Sequence, residues 1–174
     1  STNAEMAKFP HRFTSKLEIT FGQELHLVLS MKNTDDEAFY VDEALHSYFN
    51  VSDVREIFIH GLDGANELDT VRDTQGIHEG PLSFTKGRVD SIFDTSNGAI
   101  IEDPGFKRRI IIEKEHSAST IVWNPAESKA ADMHHEDWKH FVCVEVGNVR
   151  RNALLLRPGQ SHWMSLTIKV EELA

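Results

Sequence analysis

Two short runs decide the fold class, Lys16-Leu17-Glu18-Ile19-Thr20-Phe21 and Glu24-Leu25-His26-Leu27-Val28-Leu29-Ser30-Met31. In both runs every second residue is a large apolar one, and this period of two is typical of a β-strand with one buried face. Gly22-Gln23 between the runs supplies a turn, and the polar loop Asn33-Thr34-Asp35-Asp36 follows the second run. The segment Lys16–Met31 therefore predicts a β-hairpin.

Short apolar or alternating runs continue along the chain, separated by turn clusters rich in Gly, Pro, Asn and Asp. Further strands are predicted at Ala38–Val41, Glu56–Leu62, Val89–Phe93, Ala99–Glu102, Arg109–Lys114, Thr120–Trp123, His140–Val146, Ala153–Leu156 and Ser161–Val170. Only Ala126–Met133 has a composition that favours a helix, and the segment is short. Many short strands with regular turns predict an all-β protein, an antiparallel β-sandwich, in a single domain.

Composition restricts the classes of function. The chain has 174 residues, 40% of them hydrophobic, and a formal net charge of −10. This charge argues against nucleic acid or an anionic membrane as partner, since both attract basic surfaces. A small anionic substrate is still compatible, because it needs only a few local cations. Cys143 is the single cysteine, so an intramolecular disulfide is excluded, and we expect a cytoplasmic location.

Two segments place ionisable residues inside apolar strand patterns. His46 lies in Ala44-Leu45-His46-Ser47-Tyr48-Phe49, and Glu145 ends the run Phe141-Val142-Cys143-Val144-Glu145. A glutamate is rarely buried without a partner. From these patterns alone, His46 is a core histidine or a functional one, and Glu145 either faces water or serves a site.

Other polar clusters are weaker candidates. His134 and His135 stand beside Glu136 and Asp137, but adjacent residues of an extended segment point to opposite sides, so we expect a solvated loop and no metal site. The cationic pairs and triplets, Arg150-Arg151 and Lys107-Arg108-Arg109, are interpreted as solvated strand ends or as contacts to an anionic substrate. Gly-rich phosphate loops and a Gly-X-Ser-X-Gly motif are absent from the sequence.

The order of several blocks is more specific than any one of them. The blocks are Ala44-Leu45-His46-Ser47-Tyr48-Phe49-Asn50-Val51, Gly61-Leu62-Asp63-Gly64, Arg88-Val89-Asp90-Ser91-Ile92-Phe93, Ile101-Glu102-Asp103-Pro104-Gly105, Val122-Trp123-Asn124-Pro125, Lys129-Ala130-Ala131-Asp132-Met133 and Phe141-Val142-Cys143-Val144-Glu145. From about Phe9 to its end, the chain resembles the D-hexose-6-phosphate mutarotases (glucose-6-phosphate 1-epimerases). This family lies within the aldose 1-epimerase, or galactose mutarotase-like, superfamily.

The resemblance implies a large antiparallel β-sandwich and a chemistry. It implies that His46 is the general acid, that Glu145 is the general base, and that Asp90 contacts sugar hydroxyls. The substrate is then a small sugar phosphate, and neither a metal nor a redox cofactor is needed. We expect His46 and Glu145 in one cleft with Asp90 on its wall, and the acid and the base separated by room for a pyranose ring.

The chain also departs from the family pattern. Ser91 stands where the family usually has Arg, and Glu67-Leu68-Asp69-Thr70 stands where it usually has Tyr-X-Asp-Lys. These departures keep two alternatives open: a non-catalytic carbohydrate-binding module, and an epimerase of unphosphorylated sugars.

Family members also extend upstream of the matched region, and that part holds the arginines that bind phosphate and a further active-site histidine. Ser1-Thr2-Asn3-Ala4 is typical of a cloning remnant, and we expect residues 5–174 to be the C-terminal portion of a longer sandwich. An open sheet edge or apolar face should then favour self-association. If the upstream residues are dispensable, Arg88, Arg150 and Arg151 are the candidates to hold the anion.

Overall fold

The computed structural model describes residues 9–127 and 134–173, which form almost entirely β structure. The strands are β1 (Phe13–Phe21), β2 (Leu25–Asn33), β3 (Phe39–Val41), β4 (Glu43–Leu45), β5 (Tyr48–Asn50), β6 (Phe58–His60), β7 (Asn66–Asp69), β8 (Thr74–Ile77), β9 (Val89–Asp94), β10 (Ala99–Asp103), β11 (Arg108–Glu115), β12 (Ser119–Asn124), β13 (Phe141–Asn148), β14 (Leu154–Leu156) and β15 (Ser161–Glu172). Two short 3₁₀ helices cover Asp137–His140 and Arg150–Asn152. No helix in these two described ranges has the length and apolar character that crossing a bilayer requires.

The strands form two large antiparallel sheets and one small one. The first sheet has the order β1-β2-β15-β11-β10-β6. The second has the order β4-β13-β12-β9-β7-β8, and β5 also pairs with β13. The small sheet joins β14 to β3. The predicted antiparallel β-sandwich is confirmed.

The core lies between the two large sheets. The first sheet contributes Ile101, Ile112 and Leu166, and the second contributes Phe93 and Val144; all five are almost completely inaccessible to solvent. In β9, β10 and β11 these residues alternate with half-buried or exposed ones, as the period of two predicted, whereas residues 142–148 of β13 are buried on both faces. The second sheet therefore has a core face and an opposite face, and the opposite face carries the candidate site.

Sequence patterns located most strands but missed four short ones. The predicted hairpin is confirmed, with Leu17 paired to Leu29 and Ile19 to Leu27. The missed strands β4, β5, β7 and β8 have three or four residues each, too few to show a period. They owe their conformation to pairing: β4 and β5 pair with β13, β7 pairs with β9, and β8 pairs with β7. The helix predicted at Ala126–Met133 lies outside the described residues from position 128 on, and Ala126 itself has a positive φ of 50°.

The apolar face of the hairpin is only partly covered. Met164 of β15 is fully buried, its partner Leu29 in β2 is half-buried, and Leu17 in β1 is 47% exposed. Exposure likewise increases from the buried Leu166 through the half-buried Leu27 to the exposed Ile19. Burial in this sheet thus declines towards its β1 edge.

Two glycines allow the backbones of β6, β10 and β11 to approach closely. A Cβ on Gly98 would lie 2.4 Å from the carbonyl oxygen of Ile112, and a Cβ on Gly61 would lie 2.4 Å from the carbonyl oxygen of Gly98. Gly61 also has a φ of +93°, which side chains disfavour. Any larger residue at either position must displace main chain.

We predict that Gly98→Ala lowers the free energy of unfolding by about 2 kcal/mol or more, because the added methyl displaces backbone in a packed sheet. Gly76→Ala is the matched control: it lies in strand β8 and its added Cβ has no neighbour within 4 Å. Its effect should stay within about 0.5 kcal/mol. Urea unfolding followed by circular dichroism measures both, and equal stabilities of the two variants would contradict the close approach.

Candidate active site

Strand register brings His46 and Glu145 together. Strands β4 and β5 both pair with β13, with Leu45 opposite Val146 and Tyr48 opposite Cys143. The two residues between these strands continue the same register, so His46 falls opposite Glu145. Directly opposed residues of antiparallel strands have Cβ atoms about 5 Å apart. Two segments almost a hundred positions apart in sequence thus form one pair.

The pair is in direct contact. His46 Nε2 lies 3.1 Å from Glu145 Oε1. The Glu145 side chain is only 9% exposed, whereas that of His46 is 52% exposed. Burial raises the pKa of Glu145 above its usual range, the neighbouring His46 lowers it, and the negative charge of Asp90 raises it further. A buried carboxylate with a raised pKa, beside an accessible imidazole, is an arrangement suited to proton transfer.

The predicted separation of acid and base by the width of a sugar ring is wrong. His46 and Glu145 are cross-strand neighbours, and a pyranose does not fit between atoms 3.1 Å apart. The expected chemistry does not require such a gap. The ring oxygen and the anomeric hydroxyl oxygen are bonded to the same carbon, so an acid and a base that act on them can stand side by side.

Asp90 lies on the same face of the sheet, two strands away from Glu145. It pairs with Trp123 of β12, which pairs with Cys143 of β13. Since β12 lies between β9 and β13, the strands that carry Asp90 and Glu145 are about 10 Å apart. The side chains of Trp123 and Ile121, on the strand between them, share this face with Asp90 and Glu145.

Asp90 is anchored by its neighbours. Its Oδ2 accepts a hydrogen bond from Arg88 Nη2 at 3.0 Å. Its backbone carbonyl accepts bonds from the amide and the hydroxyl of Thr70, at 2.9 and 2.8 Å. The side chain is 28% exposed and can therefore still meet a ligand.

Aromatic rings line the face beside the pair. The Tyr48 ring stacks on the His46 ring, with centroids 4.9 Å apart and planes at 15°. Tyr48 also contacts Trp123 and Phe141. Sequence reasoning did not name Tyr48 or Trp123 as site residues. The signal for Tyr48 was its place two residues after His46, which put both side chains on one face.

Two of the residues that depart from the family pattern, Ser91 and Glu67, point away from this face. Ser91 alternates with Asp90 and points to the core face, where it is 2% exposed. Its hydroxyl donates a 2.7 Å hydrogen bond to Glu67 Oε1, and Glu67 Oε2 lies 3.0 Å from His78 Nδ1. Ser91 and Glu67 thus compensate each other within the sandwich. They no longer favour the loss of turnover that the binding-module alternative assumes.

A cavity of about 230 Å³ adjoins the same face. Leu68 and Ile92 line it, and they belong to the cross-strand row that leads through Ile121 to Glu145. Arg150 and Arg151 also line it. Arg151 is paired with Asp94, another lining residue, whereas Arg150 forms no ion pair with the residues described here.

Other histidine–carboxylate pairs differ from His46–Glu145. His162 lies 2.9 Å from Glu43, whose Oε1 also accepts a hydrogen bond from Asn148 in a buried network. His60 and Glu102 lie on the first sheet, and both are more than a third exposed. In the first pair the histidine is only 21% exposed, and in the second pair the carboxylate is itself accessible.

Within residues 9–127 and 134–173, no three His, Cys, Asp or Glu side chains are grouped closely enough to hold a metal ion. His134 and His135 are exposed, and His135 Nδ1 lies 3.2 Å from Glu136 of the same loop.

The chain is similar to known proteins in sequence and in fold. The family described as aldose 1-epimerase matches residues 1–169. A protein of Cenchrus ciliaris named "Putative glucose-6-phosphate 1-epimerase" is 30% identical over 161 residues, which are 87% of this chain and 49% of that protein. A protein of the same name from Escherichia coli K12 is 28% identical over 165 residues, covering 91% of this chain and 54% of its own length.

A solved structure shows the same fold. The Salmonella typhimurium protein described as "a putative mutarotase (YeaD)" superposes with a TM-score of 0.86 and 26% identity, over 99% of this chain and 58% of that one. The chain thus spans about half the length of the curated relatives that it matches. With a family match over nearly its whole length and a fold shared with a mutarotase-like structure, the chain belongs to the aldose 1-epimerase family.

Proposed function

We propose that the protein interconverts the α and β anomers of an aldohexose 6-phosphate, with His46 as general acid and Glu145 as general base. The observation that carries this proposal is the 3.1 Å contact between an accessible histidine and a nearly buried glutamate. Membership of the aldose 1-epimerase family supports the isomerase class, and the activity, the phosphosugar specificity and the residue roles are our proposal.

Ring opening needs two proton transfers at one carbon. Glu145 takes the proton of the anomeric hydroxyl, and that O–H electron pair forms the carbonyl at C1. The bond from C1 to the ring oxygen breaks, and the ring oxygen receives a proton from His46 Nε2. Both side chains are then neutral, and the sugar is an open aldehyde.

Ring closure reverses these transfers after the C1–C2 bond has rotated. His46 recovers its proton from the former ring hydroxyl as that oxygen attacks C1, and Glu145 returns its proton to the carbonyl oxygen. The original charges are restored, and the sugar leaves as the other anomer. The raised pKa of Glu145 makes the carboxylate a stronger base than an exposed glutamate, and this suits a reaction near neutral pH.

The remaining sugar atoms need to stay fixed while C1 turns. Asp90, with its position set by Arg88 and Thr70, can accept hydrogen bonds from ring hydroxyls. Tyr48 and Trp123 offer an aromatic surface beside it, and sites of this kind combine apolar walls with a few polar groups. These contacts hold the ring and leave the anomeric carbon free to rotate.

The phosphate specificity rests on two supports. The curated relatives are named for glucose 6-phosphate. The sheet face also has cations within its reach: Arg88 beside Asp90, and Arg150 and Arg151 around the adjoining cavity. Arg150, which has no ion-pair partner among the described residues, is the strongest candidate of these cations in this chain.

We expect His46→Ala and Glu145→Ala each to reduce the acceleration of mutarotation by about 10²–10⁴-fold, because each removes one proton transfer. His60→Ala is the matched control, since it removes a histidine of another histidine–glutamate pair on the opposite sheet. Polarimetry or NMR exchange with glucose 6-phosphate measures the rates. Rates in both site variants equal to those of His60→Ala would reject the proposed roles.

The pH dependence of the mutarotation rate should reflect the environment of Glu145. Because the base acts as a carboxylate, the rate should rise with pH through the raised pKa of Glu145, which lies above the ordinary value of 4.5. Asp90→Asn removes a negative charge that raises this pKa, so the titration midpoint of Glu145 should move to lower pH.

Carbon-13 NMR of labelled glutamate side chains, without substrate, follows this midpoint directly. Glu113→Gln is the charge-matched control, because Glu113 lies on β11 of the other sheet. A Glu145 midpoint that is unchanged in Asp90→Asn would show that the two carboxylates are not coupled.

A comparison of a phosphorylated with an unphosphorylated sugar tests the proposed phosphosugar specificity. The value of kcat/KM for glucose 6-phosphate should exceed that for glucose by about tenfold or more, the ratio expected when a single charged contact contributes about 1.4 kcal/mol. Equal values for both sugars, abolished together by Glu145→Ala, would assign the site to unphosphorylated aldoses.

A further inference from the structure

We propose that Tyr48 is a positioning residue, whose ring fixes the plane of the His46 imidazole so that Nε2 faces Glu145 and the bound sugar. The part of this role that concerns the sugar rests on the proposed function. The part that concerns Glu145 does not, because the orientation of His46 against the carboxylate is a property of the folded chain itself.

The contact with Glu145 does not by itself define the orientation of the imidazole. The carboxylate meets one atom of the ring, Nε2, at 3.1 Å. One contact at one edge fixes the position of that atom, but the ring can still turn about it. The χ2 torsion of histidine is broad and roughly two-fold, so the side chain alone does not select one plane. A second contact, to a face of the ring, is needed.

Tyr48 supplies this second contact. Its ring plane lies at 15° to that of His46, and the ring centroids are 4.9 Å apart, which is a stacked arrangement within the preferred range. The two residues are two positions apart in an extended segment, so their side chains share one face. The residue between them is held as well, because the Ser47 carbonyl accepts a hydrogen bond from the Val144 amide at 3.3 Å.

Tyr48 can impose a plane on His46 because its own ring is held by other side chains. Its centroid lies 5.5 Å from that of Phe141 and 6.4 Å from that of Trp123, and these two rings contact each other at 5.7 Å. The Tyr48 side chain also hydrogen-bonds that of Cys143, its cross-strand partner. Since a thiol is a weak hydrogen-bonding group, we assign the positioning role to the ring and not to the hydroxyl.

The stack can persist during the proposed reaction, when the contact with Glu145 cannot. In ring opening, His46 Nε2 gives its proton to the ring oxygen of the sugar, so Nε2 has to leave the carboxylate as the ligand enters. A displacement of the imidazole within its own plane carries Nε2 towards the sugar without separating the imidazole from the Tyr48 ring. Tyr48 thus keeps the general acid oriented in the step in which Glu145 no longer holds it.

Carbon–proton NMR of the histidine side chains in the full chain tests the stack without substrate. Protons above an aromatic face resonate upfield, and the His46 signals are assigned by their loss in His46→Gln. We expect the upfield displacement in the wild type and in Tyr48→Phe, and its loss in Tyr48→Leu. Tyr40→Leu is the matched control, since it removes the other tyrosine, which lies on β3 of the small sheet. Circular dichroism checks that every variant is folded.

The titration of Glu145, followed by carbon-13 NMR, tests whether Tyr48 holds His46 against the carboxylate. His46 lowers the pKa of Glu145, whereas burial and Asp90 raise it. In Tyr48→Leu the imidazole is free to move away, so the Glu145 midpoint should move to higher pH. In a His46→Gln background, Tyr48→Leu should not cause this movement. The comparison of the two backgrounds separates the positioning of His46 from any change in the burial of Glu145.

The kinetics of mutarotation test the part of the role that concerns the sugar. The value of kcat for glucose 6-phosphate should fall about 10–100-fold in Tyr48→Leu, because a misplaced catalytic group loses its orientation towards the reacting atom. Tyr48→Phe keeps the ring and should recover most of this loss, and Tyr40→Leu should retain the wild-type kcat. A side chain that only contacts the sugar would instead change KM and leave kcat as it is.

Three results would overturn the proposal. The first is a set of His46 resonances that Tyr48→Leu leaves in their wild-type positions. The second is a Glu145 midpoint that Tyr48→Leu moves equally with and without His46. The third is a kinetic loss confined to KM, or an equal loss of kcat in Tyr48→Leu and Tyr48→Phe. Absence of mutarotation in the wild type would reject the proposed function instead, and the two NMR measurements would still decide whether Tyr48 positions His46.

Discussion

The antiparallel register of β13 is the constraint on which both the core and the candidate site depend. Val142, Val144 and Val146 point into the core, and the residues between them, Cys143 and Glu145, point to the opposite face. A slip of one residue would bury the carboxylate among aliphatic side chains and expose the valines. The hydrophobic core therefore fixes the orientation of Glu145, and no separate feature of the site is needed to hold it.

The same register explains how much could be predicted from sequence. Alternation located the long strands, because an apolar face repeated over five or more residues is visible in the sequence alone. It could not locate β7, whose residues Asn66–Asp69 include a single aliphatic side chain. The family motif indicated His46, Glu145 and Asp90 as residue types, but no motif states which residues stand opposite one another. The direct His46–Glu145 contact and the stacking of Tyr48 on His46 arise from pairing between distant segments, and only the folded chain shows them.

The electrostatics of the site depend on the difference in exposure between Glu145, which is buried, and His46, which is accessible. Burial makes ionisation of Glu145 costly, and the nearby Asp90 adds to that cost, while His46 offsets part of it. His46 remains half open to solvent, so the pair can separate and admit a ligand without unfolding the sheet. Burial has the same effect on Cys143, whose pKa it raises to about 12, and the negative charge of Glu145 adds to this shift. The thiol beside the site is thereby kept neutral near pH 7.

The hydrogen bond between Ser91 and Glu67 has a consequence for how this sequence can diverge. Replacement of Glu67 alone removes the acceptor of the buried Ser91 hydroxyl. Introduction of a long cation at position 91 alone places a charge in a buried space that holds a small side chain. Each single step is costly, whereas an exchange at both positions can restore a satisfied pair. Substitutions at positions 67 and 91 are thus expected to occur together, and such a paired exchange leaves the opposite face, which carries His46 and Glu145, unaltered.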